Sequence, residues 1–111
     1  MNKRFQALGR LKQGQMNRTE AEYGTMLEAL KRSGEILWYK FECINLRLAD
    51  NTFYKPDFLV LSKDSVLEVH EVKARFVTED GWQKLKITAE LFPFKFVLAQ
   101  KKNKQWEINE L

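Results

Sequence analysis

Asp57, Glu71 and Lys73 are the residues whose types and spacing could do chemistry in this chain of 111 residues. They lie in YKPDFLVLSKDSVLEVHEVK, residues 54–73, where apolar residues recur at the strand period of two on both sides of the polar run Lys63-Asp64-Ser65. With that run as a hairpin turn, Ser62 pairs with Val66, Leu61 faces Leu67, Leu59 faces Val69, and Asp57 falls opposite Glu71. Apolar residues then meet apolar residues, which favours this register over a one-residue slip. Two carboxylates directly across a strand pair have Cβ atoms roughly 5 Å apart, and they repel. A divalent cation removes that cost, because Mg²⁺ takes one or two carboxylates together with waters and substrate phosphate. Lys73, one strand period beyond Glu71, adds an ammonium on the same face. Such a set is suited to hydrolysis.

The elements that must position these side chains follow from the rest of the pattern. Residues 17–32 predict a helix with Asn17 as N-cap, Glu20 in a capping-box position and Gly34 just past the end. Tyr23, Met26, Leu27 and Leu30 form its buried stripe. At about 100° per residue, Glu20 lies roughly 60° from Tyr23 and Glu22 roughly 100° away on the other side, so Glu20 is the acid expected to look toward the site. The alternative is that Glu20 only caps the helix, on the premise that one carboxylate does one task at a time. Residues 36–48 read as a strand bent or broken near Glu42-Cys43, with Trp38 and Tyr39 in the core, and Asp50-Asn51 as a turn. Tyr54 and Lys55 could touch substrate, but a structural role is the preferred reading. His70 falls on the face opposite Glu71 and reads as hydrogen-bonded structure.

A second helix should open at Glu79-Asp80-Gly81 and run to about Leu91, with Trp82, Leu85, Ala89 and Phe92 as its stripe. Lys86 sits at the stripe's edge and is expected to reach the site end, whereas Lys84 points almost opposite, to solvent. Gln83 is a weaker candidate. Pro93 stops the helix, residues 94–99 read as a strand, and the turn Lys101-Lys102-Asn103-Lys104 leads to a short edge strand around residues 106–108. The order predicts a single α/β domain, residues 17–111: a mixed sheet with a helix on each side and one parallel crossover. Residues 1–16 carry Lys3, Arg4, Arg10 and Lys12 and read as a basic arm.

Composition bounds the function. The chain is 44% hydrophobic and 31% charged, which suits one globular core. A net charge of +4 favours a polyanionic partner without specifying one. Cys43 is the only cysteine, so no internal disulfide forms and a reducing cytoplasm is the expected compartment. The sequence holds no apolar run long enough to span a bilayer. One Cys and one His leave no credible nucleophilic triad.

Pro56-Asp57 followed by Glu71-Val72-Lys73 resembles the PD-(D/E)XK nuclease superfamily motif. The upstream acidic helix NRTEAEYGTMLEAL and the downstream basic helix ending at Pro93 are similar to those of small phage-type endonucleases and Holliday-junction-resolvase-like members. The likeness spans residues 17–100. It implies a restriction-endonuclease-like core and a Mg²⁺-dependent endodeoxyribonuclease, with Mn²⁺ able to substitute. By the same likeness, Asp57, Glu71 and the Val72 carbonyl would hold metal, Lys73 would support the attacking group, and Glu20 would assist a second metal or a water. Lys86, Lys84, Gln83 and Arg18 become candidate DNA contacts. Branched DNA and a homodimer are the implied substrate and assembly. The alternative is a DNA-binding or assembly subunit on the same fold without catalysis.

Overall fold

The structure, a computed structural model, describes residues 14–74 and 77–111. The basic arm read over residues 1–16 therefore lies outside the described residues except for Gly14, Gln15 and Met16.

The first helix, α1 (Arg18–Arg32), starts where the sequence says it should. Asn17 Oδ1 accepts the Glu20 N–H at 2.8 Å and Glu20 Oε1 accepts the Asn17 N–H at 2.9 Å, so two of the helix's orphan donors are satisfied reciprocally. The helix ends at Ser33, and Gly34 takes φ +85°, a left-handed conformation that costs glycine little.

Seven strands follow: β1 (Ile36–Phe41), β2 (Leu46–Ala49), β3 (Thr52–Tyr54), β4 (Phe58–Ser62), β5 (Leu67–Lys73), β6 (Lys95–Lys102) and β7 (Gln105–Glu110), with α2 (Glu79–Leu91) between β5 and β6. Five of them form a mixed sheet in the order β1-β4-β5-β6-β7, in which β5 and β6 run parallel and the other neighbours antiparallel. Helix α2 is the crossover between the parallel pair. β2 and β3 make a separate hairpin.

Alternation along the strands divides the core into two layers. Phe58, Val60, Val72 and Ala99 face α1 and pack on Tyr23 and Leu27. Leu59, Val69, Phe96 and Leu98 face the other way and are covered by Leu85 of α2 and by Leu46 and Tyr54 of the hairpin. Phe58 is fully buried, with the rings of Phe41 and Tyr23 at 5.2 and 5.7 Å, and burial on that scale contributes about 1.5–3 kcal/mol.

Several sequence expectations change in detail. The break expected near Glu42-Cys43 falls at Glu42, whose φ of +47° ends β1 and turns the chain into the hairpin. Trp38, expected in the core, is 38% exposed. A bulge between Ile36 and Trp38 is the reason: Ile36 pairs with Ser62 on the α1 side, and Trp38 then pairs with Leu61 on the opposite face. Trp82 is likewise exposed, and Thr88 takes a buried place on α2 because its hydroxyl is satisfied by donating to the Lys84 carbonyl at 2.7 Å. The β6–β7 connection turns on two consecutive positive-φ residues, Asn103 and Lys104, the backbone of a tight two-residue hairpin, and β7 is correspondingly longer than expected. Among the described residues, no helix is long and apolar enough to cross a membrane.

Candidate active site

The β4–β5 pairing is the one read from the hydrophobic pattern: Leu61 opposite Leu67, Val60 opposite Glu68, Leu59 opposite Val69 and Phe58 opposite His70. One step further along the ladder, Asp57 stands opposite Glu71. The Val72 N–H donates to Asp57 Oδ2 at 2.7 Å and ties the two strands together there. Asp57 and Glu71 are each only 9% exposed.

Each oxygen of Glu71 is held. The Tyr54 hydroxyl, at the end of β3, donates to Oε1, and Lys73 Nζ stands 3.3 Å from Oε2. Burial and the negative charge of Glu71 push the Tyr54 phenol pKa up, so it remains a donor across the working pH range. Lys73 is half-buried and shares the face of Glu71, as the strand period requires.

Glu20 joins the pair from α1. Its carboxyl caps its own helix through Asn17, and its negative charge is felt at Asp57. The capping role read from the sequence is present, and a carboxylate's second oxygen leaves the site role compatible with it. Glu22 turns away and accepts from Lys101 Nζ at 2.7 Å, which agrees with the angular reading that preferred Glu20.

The electrostatic consequence falls on Asp57. Its pKa is pushed up to about 9, first by burial, then by the charge of Glu71, with Glu20 adding to it and the Val72 N–H opposing. Burial and the facing Glu71 charge thus favour the protonated form of Asp57 in the absence of a cation.

Among the described residues, no three His, Cys, Asp or Glu side chains converge to hold a metal ion by themselves. The residues present still fit a hard cation. Asp57 and Glu71 face each other at a cost that a cation would remove, and Mg²⁺ needs only one or two carboxylates when waters and phosphate complete its shell. The Val72 carbonyl would supply a third oxygen. In an extended strand a residue's N–H and C=O project to the same edge, and the Val72 N–H already points at Asp57.

His70 lies on the opposite face, as expected. Tyr23 Oη is 2.6 Å from Nδ1 and Glu68 Oε1 is 2.8 Å from Nε2. Burial lowers the His70 pKa against the opposing pull of Glu68, which favours a neutral ring that would accept from Tyr23 and donate to Glu68. It is a structural link between α1 and β5.

The candidate DNA contacts separate. Arg18 is exposed on the first turn of α1, the turn that brings Glu20 to Asp57. Lys84 is exposed on α2, as expected. Lys86 is placed away from the site end, and Gln83 shares a groove with it. They line a groove along α2 with Ile87 and Glu90, and Lys86 also borders Glu110 and Leu111. Leu111 bonds the Phe96 carbonyl near the start of β6, whereas Lys73 pairs with Gln100, four residues and about 13 Å further along the strand. The angular reading of α2 placed Lys86 around the helix but not along it.

Tyr54 is the site residue that sequence reasoning set aside as structural. The available signal was a tyrosine just ahead of Pro56-Asp57, but only the fold of the β2–β3 hairpin onto the sheet shows that its hydroxyl meets Glu71. Tyr54→Phe should destabilise the protein by about 1–2 kcal/mol, because a buried carboxylate oxygen loses its donor. Denaturant titration of the two proteins measures this; equal midpoints would remove the hydroxyl from any role in holding Glu71.

No family model, curated protein or solved structure matches the chain. Its function is therefore read from the chemistry of these side chains.

Proposed function

We propose that the protein is a metal-dependent endodeoxyribonuclease of the PD-(D/E)XK type. The observation that carries this reading is the buried pair Asp57 and Glu71, opposed across β4 and β5 with Lys73 on the same face. Order supports it as well: acidic helix, proline-aspartate strand, glutamate-lysine strand, crossover helix and parallel strand follow one another as the motif requires.

In this reading Asp57, Glu71 and the Val72 carbonyl would hold Mg²⁺, with Mn²⁺ able to replace it. The bound cation would supply Lewis-acid polarisation of the scissile phosphate. Tyr54 fixes the orientation of Glu71, and the Val72 N–H fixes Asp57. Lys73 offers its ammonium where negative charge grows on the phosphate in the transition state. Branched DNA as substrate and a homodimer as the working form belong to the same proposal.

The test is direct. Purified protein should nick or cut linear and branched DNA in Mg²⁺ or Mn²⁺ and leave it intact in EDTA. DNA bound but never cut in either cation would favour a non-catalytic DNA-binding subunit on this fold.

A further inference from the structure

Asp57 and Glu71 oppose each other at the site, Glu20 adds its charge from α1, and the ammonium beside the pair, Lys73, is already engaged with Glu71. A polyanion approaching this point needs cations that are not so engaged. The half-buried lysines of the described residues are Lys55, Lys73 and Lys101. Lys73 sits on Glu71 at 3.3 Å and Lys101 on Glu22 at 2.7 Å. Lys55 stands apart: among the described residues no carboxylate or hydrogen-bond acceptor pairs with it. Partial burial of an ammonium without a counter-ion is costly, and an anion arriving from solution would remove the cost. Lys55 is one residue from Tyr54 and two from Asp57, so its backbone lies within about 8 Å of the site's.

Lys40 has the second such position. On β1 it pairs directly with Leu59, which makes it the diagonal neighbour of Asp57 on the same sheet face, at a Cβ separation of about 7–8 Å. It is exposed, and among the described residues it too has no partner. Of the two lysines of α2, Lys86 offers a poorer surface, because it lies beside Glu90 and Glu110.

We infer that Lys40 and Lys55 are the phosphate contacts that lead a nucleic-acid backbone into the site, so that the strand crosses the β1–β4 edge and not helix α2. The inference rests on the nuclease reading and adds the path of the substrate to it. Each lysine neutralises one phosphate and releases its counter-ions.

The experiment is binding of a fluorescent DNA duplex by the full chain, followed by anisotropy over a range of NaCl in Ca²⁺, with cleavage in Mg²⁺ measured alongside. Lys40→Gln and Lys55→Gln should each weaken binding by about 3- to 10-fold and lower the log–log salt slope by about 0.9. Lys55→Arg should retain both, and Lys86→Gln should bind as the parent does. Parental affinity and slope in both glutamine variants would overturn the inference, and if the parent cuts DNA the nuclease reading would survive that result. A parent protein that neither binds nor cuts DNA overturns both together.

Discussion

Lys73→Met should lower the rate of DNA cleavage by roughly 100-fold or more while changing DNA affinity by no more than one phosphate contact. The reason is where the ammonium stands. It lies 3.3 Å from Glu71 Oε2, one strand period along β5, on the face where Asp57 and Glu71 converge. A charge in that place acts on negative charge that develops during reaction, and little of that charge exists in the bound ground state. The fold should respond in the opposite direction in the two metal states. Without metal, the substitution leaves Glu71 with Tyr54 as its named side-chain partner, and because Lys73 is half-exposed the loss should be at most about 1 kcal/mol. With Mg²⁺ bound, removing a neighbouring positive charge should recover that loss. Methionine keeps the apolar stem, so packing changes little. Lys84→Met, on an exposed position of α2, should cut within a few-fold of the parent. Single-turnover cleavage and anisotropy on the three proteins decide it: equal rates would make the glutamate-lysine half of the motif a coincidence.

How much of this was legible in the sequence depends on whether a signal was local. The hairpin register was, because period-two alternation on both strands and a polar turn allow one alignment in which Leu59 meets Val69. The α1 cap was too, since Asn17 and Glu20 satisfy each other within four residues. What periodicity could not supply was position along an element or contact between elements far apart in the chain. Lys86 has the angle read for it on α2 but sits midway along the helix, beside Glu110 and Leu111. Trp38 was misplaced by a bulge, which shifts alternation without leaving a mark in composition. Tyr54 reaches Glu71 only because Glu42 ends β1 and sends the next two strands over the sheet.

Asp57→Asn should abolish metal-dependent cleavage and yet make the metal-free protein more stable at alkaline pH. The Asp57 pKa is about 9 in the folded chain and 3.8 for an unperturbed aspartate, so between those values the folded state holds a proton that the unfolded state releases. A carboxyl with a raised folded pKa contributes stability that is complete below about pH 4 and is lost progressively as pH rises toward 9, by at most about 1.4 kcal/mol per unit. Asparagine mimics the protonated acid. Its carbonyl can accept the Val72 N–H, with nothing left to ionise. The variant and the parent should therefore match near pH 4 and diverge as pH rises, the variant being the more stable. A divalent cation competes with the same proton, so Mg²⁺ should stabilise the parent increasingly from pH 6 to 9 and leave the variant unchanged. Denaturant titrations at pH 5 and pH 8, each in EDTA and in Mg²⁺, contain all of these comparisons. A variant less stable than the parent at pH 8 in EDTA would show that Asp57 is ionised in the folded protein. Equal stabilisation of both proteins by Mg²⁺ would take the cation away from Asp57.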